Sequence, residues 1–99
     1  MHICWVGGLD RSMELLSRTA EHAGHSLEAH TGHVGGRGSE RLARGIERAD
    51  LVVIVIETNS HGAALQAKDI ARRTGRPTIT IRKGSISALQ RILDGKHAA

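Results

Sequence analysis

Two kinds of hydrophobic pattern alternate along the chain. Unbroken apolar runs at residues 3–6 and 51–56 read as strands buried on both faces, as at the centre of a parallel sheet. Between and after them, apolar residues recur at helical spacing: Met13, Leu16, Ala20 and Ala23, then Leu42, Ala43 and Ile46, then Ile86, Leu89 and Leu93. The punctuation agrees. Asp10 or Ser12 can cap the first helix and Gly24 ends it; Ser39 caps the second and Ser85 the fourth. A third helix is predicted from about residue 61 to residue 73, stopped by Gly75 and Pro77. Residues 26–30 and 78–82 supply two further short strands.

Strand and helix therefore alternate through the whole chain, which predicts one small α/β domain over residues 1–99, with 95–99 a frayed tail. Right-handed crossovers reduce the arrangements to a few. The favoured one is Rossmann- or flavodoxin-like: a four-stranded parallel sheet of order 2-1-3-4, helices 1 and 4 on one face and helices 2 and 3 on the other. The strand order then reverses between strands 1 and 3, and ligands of open α/β sheets bind outside the strand ends at such a point. Loops 7–11, 31–38, 58–61 and 82–85 meet there.

Composition changes this picture in three ways. With no Phe, no Tyr and a single Trp, the core must be built from aliphatic residues, and base stacking on single-stranded nucleic acid has little to use. The formal charge of +4 permits an anionic partner, but cations alternate with acids, as at Glu40–Arg41 and Glu47–Arg48, which argues against a nucleic-acid surface. No apolar run approaches the ~20 residues of a membrane span. Residues 1–8 show no signal-peptide pattern, and the lone Cys4 cannot pair internally, so a reducing cytoplasm is expected. Cys4 and Trp5 alternate across strand 1 and read as core; Trp5 could also wall an apolar cofactor pocket.

The seven histidines are the compositional anomaly. His61 sits where strand 3 hands over to helix 3, just after the potential capping residues Asn59 and Ser60. His30 precedes the glycine-rich stretch 31–38, and His33 lies within it. Together the three imidazoles could hold zinc or another divalent metal with an open position, but His-x-x-His is a weak pattern and His30 and His33 read more simply as polar loop residues. Gly7 and Gly8 allow a tight turn or a close ligand approach. The glycine loop with Arg37, leading into helix 2, could bind an anion, and so could Arg82, Lys83 and Ser85 before helix 4. Lys68 lies two turns into helix 3, where it reaches either the site or water. No nucleophile–base pair can be named, so an enzyme is not indicated.

Val6-Gly7-Gly8, the loop 30–36, the run 49–55, Asn59-Ser60-His61-Gly62-Ala63, Lys68 and the ending Arg82-x-x-Ser85-x-Ser87 together resemble the bacterial family catalogued as domain of unknown function 2325. The resemblance covers nearly the whole chain. It implies a Rossmann-like fold, self-association, and, as in some members, binding of b-type haem and dioxygen by intertwined dimers. Many relatives carry adjacent histidines before the glycine pair. Here the stretch is His30-Thr31-Gly32-His33, which leaves the ligand from this loop open.

The expectation is therefore a cytoplasmic homodimer or higher assembly that binds b-type haem and senses or carries dioxygen or another diatomic gas. His61, or else His30 or His33, would be the axial ligand. Trp5, Val34 and Leu9 would form apolar wall, and Arg82, Lys83 and Arg37 would meet the propionates. The alternatives are a module for a nucleotide or other phosphorylated anion at the glycine loop and Arg82–Ser85, and a divalent-metal site on His30, His33 and His61.

Overall fold

A computed structural model describes residues 1–8, 10–30, 38–57, 59 and 61–95, with the side chains of Asp10 and His61 outside that description. The elements are β1 (His2–Val6), α1 (Asp10–His22), β2 (Ser26–His30), α2 (Gly38–Arg48), β3 (Leu51–Val55), α3 (His61–Thr74), β4 (Thr78–Ile81) and α4 (Ile86–Leu93). The four strands form one parallel sheet in the order β2-β1-β3-β4, as the alternation of patterns predicts. No helix among the described residues is long and apolar enough to cross a membrane.

Strand alternation divides the core between two faces. Ile3, Trp5, Val53 and Val55 pack with Leu16 and Ala20 of α1 and Leu89 and Ile92 of α4. Cys4, Val6, Val52 and Ile54 pack with Leu42 and Ile46 of α2 and Ala67, Ile70 and Ala71 of α3. Every residue of β3 is buried, because it has a strand on each side and a helix layer on each face. The apolar run overshoots this strand by one residue. Ile56 still donates its N–H to the Ile81 carbonyl, yet it is 60% exposed, because β1 has ended at Val6 and no longer lies beside it.

Several helix ends differ from expectation by small amounts. α2 starts at Gly38, so Ser39 lies inside it rather than capping it, and α1 starts at Asp10, which places Ser12 in its first turn. Ala23 lies beyond the end of α1 and is exposed; on α4 the fully covered partner of Leu89 is Ile92, with Leu93 half-buried. Ser85 caps α4 as expected, its Oγ accepting the Ala88 N–H at 3.1 Å. Gly24 and Gly75, at φ +83° and +71°, follow α1 and α3. Both take the left-handed conformation that a glycine past a helix end supplies.

Candidate functional site

Where β1 and β3 part, two carbonyls lose their ladder partners, and Asn59 takes them up. Its Nδ2 donates to the Val55 carbonyl at 2.8 Å and lies 3.4 Å from the Val6 carbonyl. This side chain ties the two central strand ends together at the switch point. Gly7 makes room for it: a Cβ there would stand 2.8 Å from Asn59 Nδ2, and the backbone is at φ +102°. Gly7 also donates its N–H to the His30 carbonyl at 2.7 Å, so the turn after β1 is fastened to β2 as well. Asn59 is thus a structural tie through its nitrogen, whereas its Oδ1 is buried without a hydrogen-bond partner among the described residues.

A second unsatisfied group lies at the same edge. Trp5 is fully buried, yet its indole Nε1 has no partner among the described residues. The nitrogen lies beside two glycines. A Cβ on Gly84 would lie 3.4 Å from it and 3.3 Å from Cζ2, and a Cβ on Gly8 would lie 3.7 Å away. A buried donor left unpaired costs about 1–3 kcal/mol, so its place at the ligand edge of the sheet calls for a reason. Two small residues beside it keep backbone rather than side chain over the indole edge.

The cations of the β4–α4 connection flank this edge. Arg82 is largely exposed and pairs only loosely with Glu57, at 3.7 Å. Ile79, Ile81, Arg82, Lys83, Ser85 and Arg91 line a groove of about 490 Å³ along β4 and α4. Lys68 is exposed on α3. His61 opens α3 at the C-terminal edge of the sheet, as the sequence predicts. Leu9, His33, Val34, Arg37 and Ser60, with the glycine-rich stretch 31–37, lie outside the described residues.

His30 belongs to a different neighbourhood. It ends β2 and faces α2, where its Nε2 lies 3.1 Å from Glu28 Oε2. Glu28 pairs through Oε1 with Arg48 at 2.5 Å. Burial pushes the Glu28 carboxyl up, but hydrogen bonds and charge from Arg48 and His30 outweigh it and hold the group below its usual range. Beside them lies Cys4, whose thiol is pushed up to about 12, chiefly by burial and then by the Glu28 charge, with Arg48 opposing. The ligating atoms of Cys4, Glu28 and His30 all lie within 4.8 Å of one another.

The sequence reading did not include Glu28 or Cys4 among candidate ligands. The available signal was Glu28-Ala29-His30, a two-residue spacing that puts both polar side chains on one face of a strand. Which face that was depended on the register Cys4↔Glu28, which only the sheet supplies.

A family model described as an uncharacterized protein conserved in bacteria, DUF2325, matches residues 2–96, and the chain belongs to that family. No curated protein and no solved structure matches the chain.

Proposed function

We propose that this domain is a ligand-binding module rather than a catalyst. Its site is the edge where β1 and β3 part, and its ligand is b-type haem presented to dioxygen or another diatomic gas. The observation that carries this reading is the buried Trp5 indole N–H, which has no partner among the described residues and lies beside Gly8 and Gly84 at that edge. Gas-binding haem sites depend on a hydrogen-bond donor beside the gas, and on the polarity and access of the pocket around it. Trp5 supplies such a donor in an otherwise aliphatic surrounding.

The other residues at the edge fit the same group. His61 starts α3 there and is the first candidate for the axial imidazole. His33 is the second; His30, whose ring meets Glu28 under α2, would first have to leave that partner. Exposed Ile56 offers apolar surface, and Arg82 and Lys83 offer cations for two carboxylates. Haem would supply gas coordination, and the chain would supply the imidazole, the slot and the donor. One copy provides only one wall of such a slot. The strands β2 and β4 end the sheet with a free edge each, so a homodimer that closes the slot would also cover exposed edges.

The test is a titration of the purified protein with haemin, followed by visible absorption, with reduction and carbon monoxide addition afterwards. A sharp Soret band saturating at one haem per chain or per dimer, and lost or shifted in His61→Ala, is expected. A broad band that keeps growing, as for loosely adsorbed haemin, would remove haem from the account.

One observation favours a second reading. Arg82, Lys83 and Arg91 share the groove along β4 and α4, a placement suited to a phosphorylated anion. Thermal stabilisation by phosphorylated metabolites without a Soret response would select it.

A further inference from the structure

We infer that Cys4, Glu28 and His30 form a binding site for one divalent ion of the zinc type, under α2 and apart from the switch-point edge. Thiolate, imidazole and carboxylate are the side chains that zinc takes, and three protein ligands leave a fourth position for water. Among the described residues, these three meet with their ligating atoms within 4.8 Å of one another. Around a tetrahedral ion such atoms stand about 3.5 Å apart, so the gap closes with small side-chain shifts. Glu28 Oε2 and His30 Nε2 are already at 3.1 Å, and the ion would replace the proton between them and the proton of the Cys4 thiol.

Two features support a site over a mere contact. Arg48 holds Glu28 by Oε1, which leaves Oε2 turned toward His30, as an outer partner orients a metal-binding carboxylate. The helix opposite carries a glycine at its buried centre. A Cβ on Gly45 would collide with Glu28 Oε2, and would stand 2.5 Å from His30 Nε2. Gly in a helix interior is disfavoured relative to Ala, and here it keeps the space over the two polar side chains clear. The competing account is that Glu28 and His30 only guard the edge strand β2 against pairing, since inward-pointing charged residues discourage edge-to-edge association. That account assigns no part to Cys4.

The site is tested by titrating Co²⁺ into metal-free protein near neutral pH, with Gly45→Ala, Cys4→Ala, Glu28→Gln and a His33→Ala/His61→Ala double variant alongside. Circular dichroism checks each fold. Expected for the wild type are one equivalent bound, the visible bands of a four-coordinate ion, and a near-ultraviolet thiolate-to-cobalt band. Cys4→Ala should lose the near-ultraviolet band. Glu28→Gln and Gly45→Ala should weaken binding at least about tenfold while remaining folded. The double variant should bind like the wild type. Absence of the thiolate band, undiminished binding by folded Gly45→Ala, or loss of binding in the double variant would each overturn the assignment. The first two outcomes leave Glu28 and His30 as guards of the edge; the third moves the ion to the loop histidines.

Discussion

Cys4 and Trp5 are neighbours in sequence and lie on opposite faces of the same strand, and the two faces are built differently. On the Trp5 side, aliphatic residues from β1, β3, α1 and α4 close around the indole, and its one polar atom has no partner among the described residues. On the Cys4 side, the aliphatic core gives way toward β2 to Glu28 and His30, which pair with each other, Glu28 pairing with Arg48 as well. The first arrangement leaves a buried donor unpaired among the described residues, and the proposed ligand would complete it. The second is already satisfied internally, and an ion can enter it only by displacing protons. The same strand can therefore serve two kinds of chemistry: a recognition donor toward the sheet edge, and an ionic cluster under a helix.

The sharpest way to break the shared scaffold is Gly7→Ala. It combines positive φ with a Cβ inside the Asn59 amide, so it should destabilise the fold by about 3 kcal/mol, read by denaturant titration. A loss below about 0.5 kcal/mol would mean that Asn59 does not hold the strand ends together.

The next effect is read in alkali and separates the Cys4 face. Its pKa is raised from 9.0 to about 12 in the fold, so this group contributes stability that is fully present below pH 9.0 and is lost as the pH rises through the folded value. Cys4→Ala should flatten the stability profile between those limits. By the same burial, the wild-type thiol should resist disulfide reagents at pH 8 until the protein unfolds.

A smaller effect lies on the acid side. Glu28 is held below its reference value of 4.5, so its contribution is present above that pH and is lost as the pH falls through the lower folded value. Glu28→Gln should flatten the acid limb, and the change should shrink with salt because the carboxylate is partly exposed. Smallest of all is the stability change in Gly45→Ala. The helix gain of about 1 kcal/mol roughly offsets the displacement of two polar side-chain ends, so chemical denaturation should barely move even as ion binding fails.

How much of this was legible differs between the same two faces. The two-residue period of a strand and the 3.6-residue period of a helix are local, so helix faces and the alternation of Cys4 and Trp5 follow from the pattern alone, and strand order follows once the handedness of crossovers is added. Asn59 was legible as a residue at the strand-to-helix handover, but not as the tie across β1 and β3, because the need for it arises only where two strands diverge. Proximity in sequence links His30 with His33, which lies outside the described residues. The fold also brings His30 to Glu28 through strand alternation, and to Cys4 through a register between strands more than twenty residues apart. The reason for Gly45 is likewise non-local: it packs against a strand that precedes its helix.

The central claim is that the unpaired Trp5 N–H exists to meet a ligand. It is tested most directly by comparing dioxygen and carbon monoxide dissociation from haem-loaded wild type and Trp5→Phe. Phe keeps the apolar bulk and removes the donor. Dioxygen accepts a hydrogen bond far better than carbon monoxide does, so its release should speed up about tenfold, as for a lost bond near 1.4 kcal/mol, with carbon monoxide little changed. Equal rates for both gases in the two proteins would contradict the account and leave the indole as core alone.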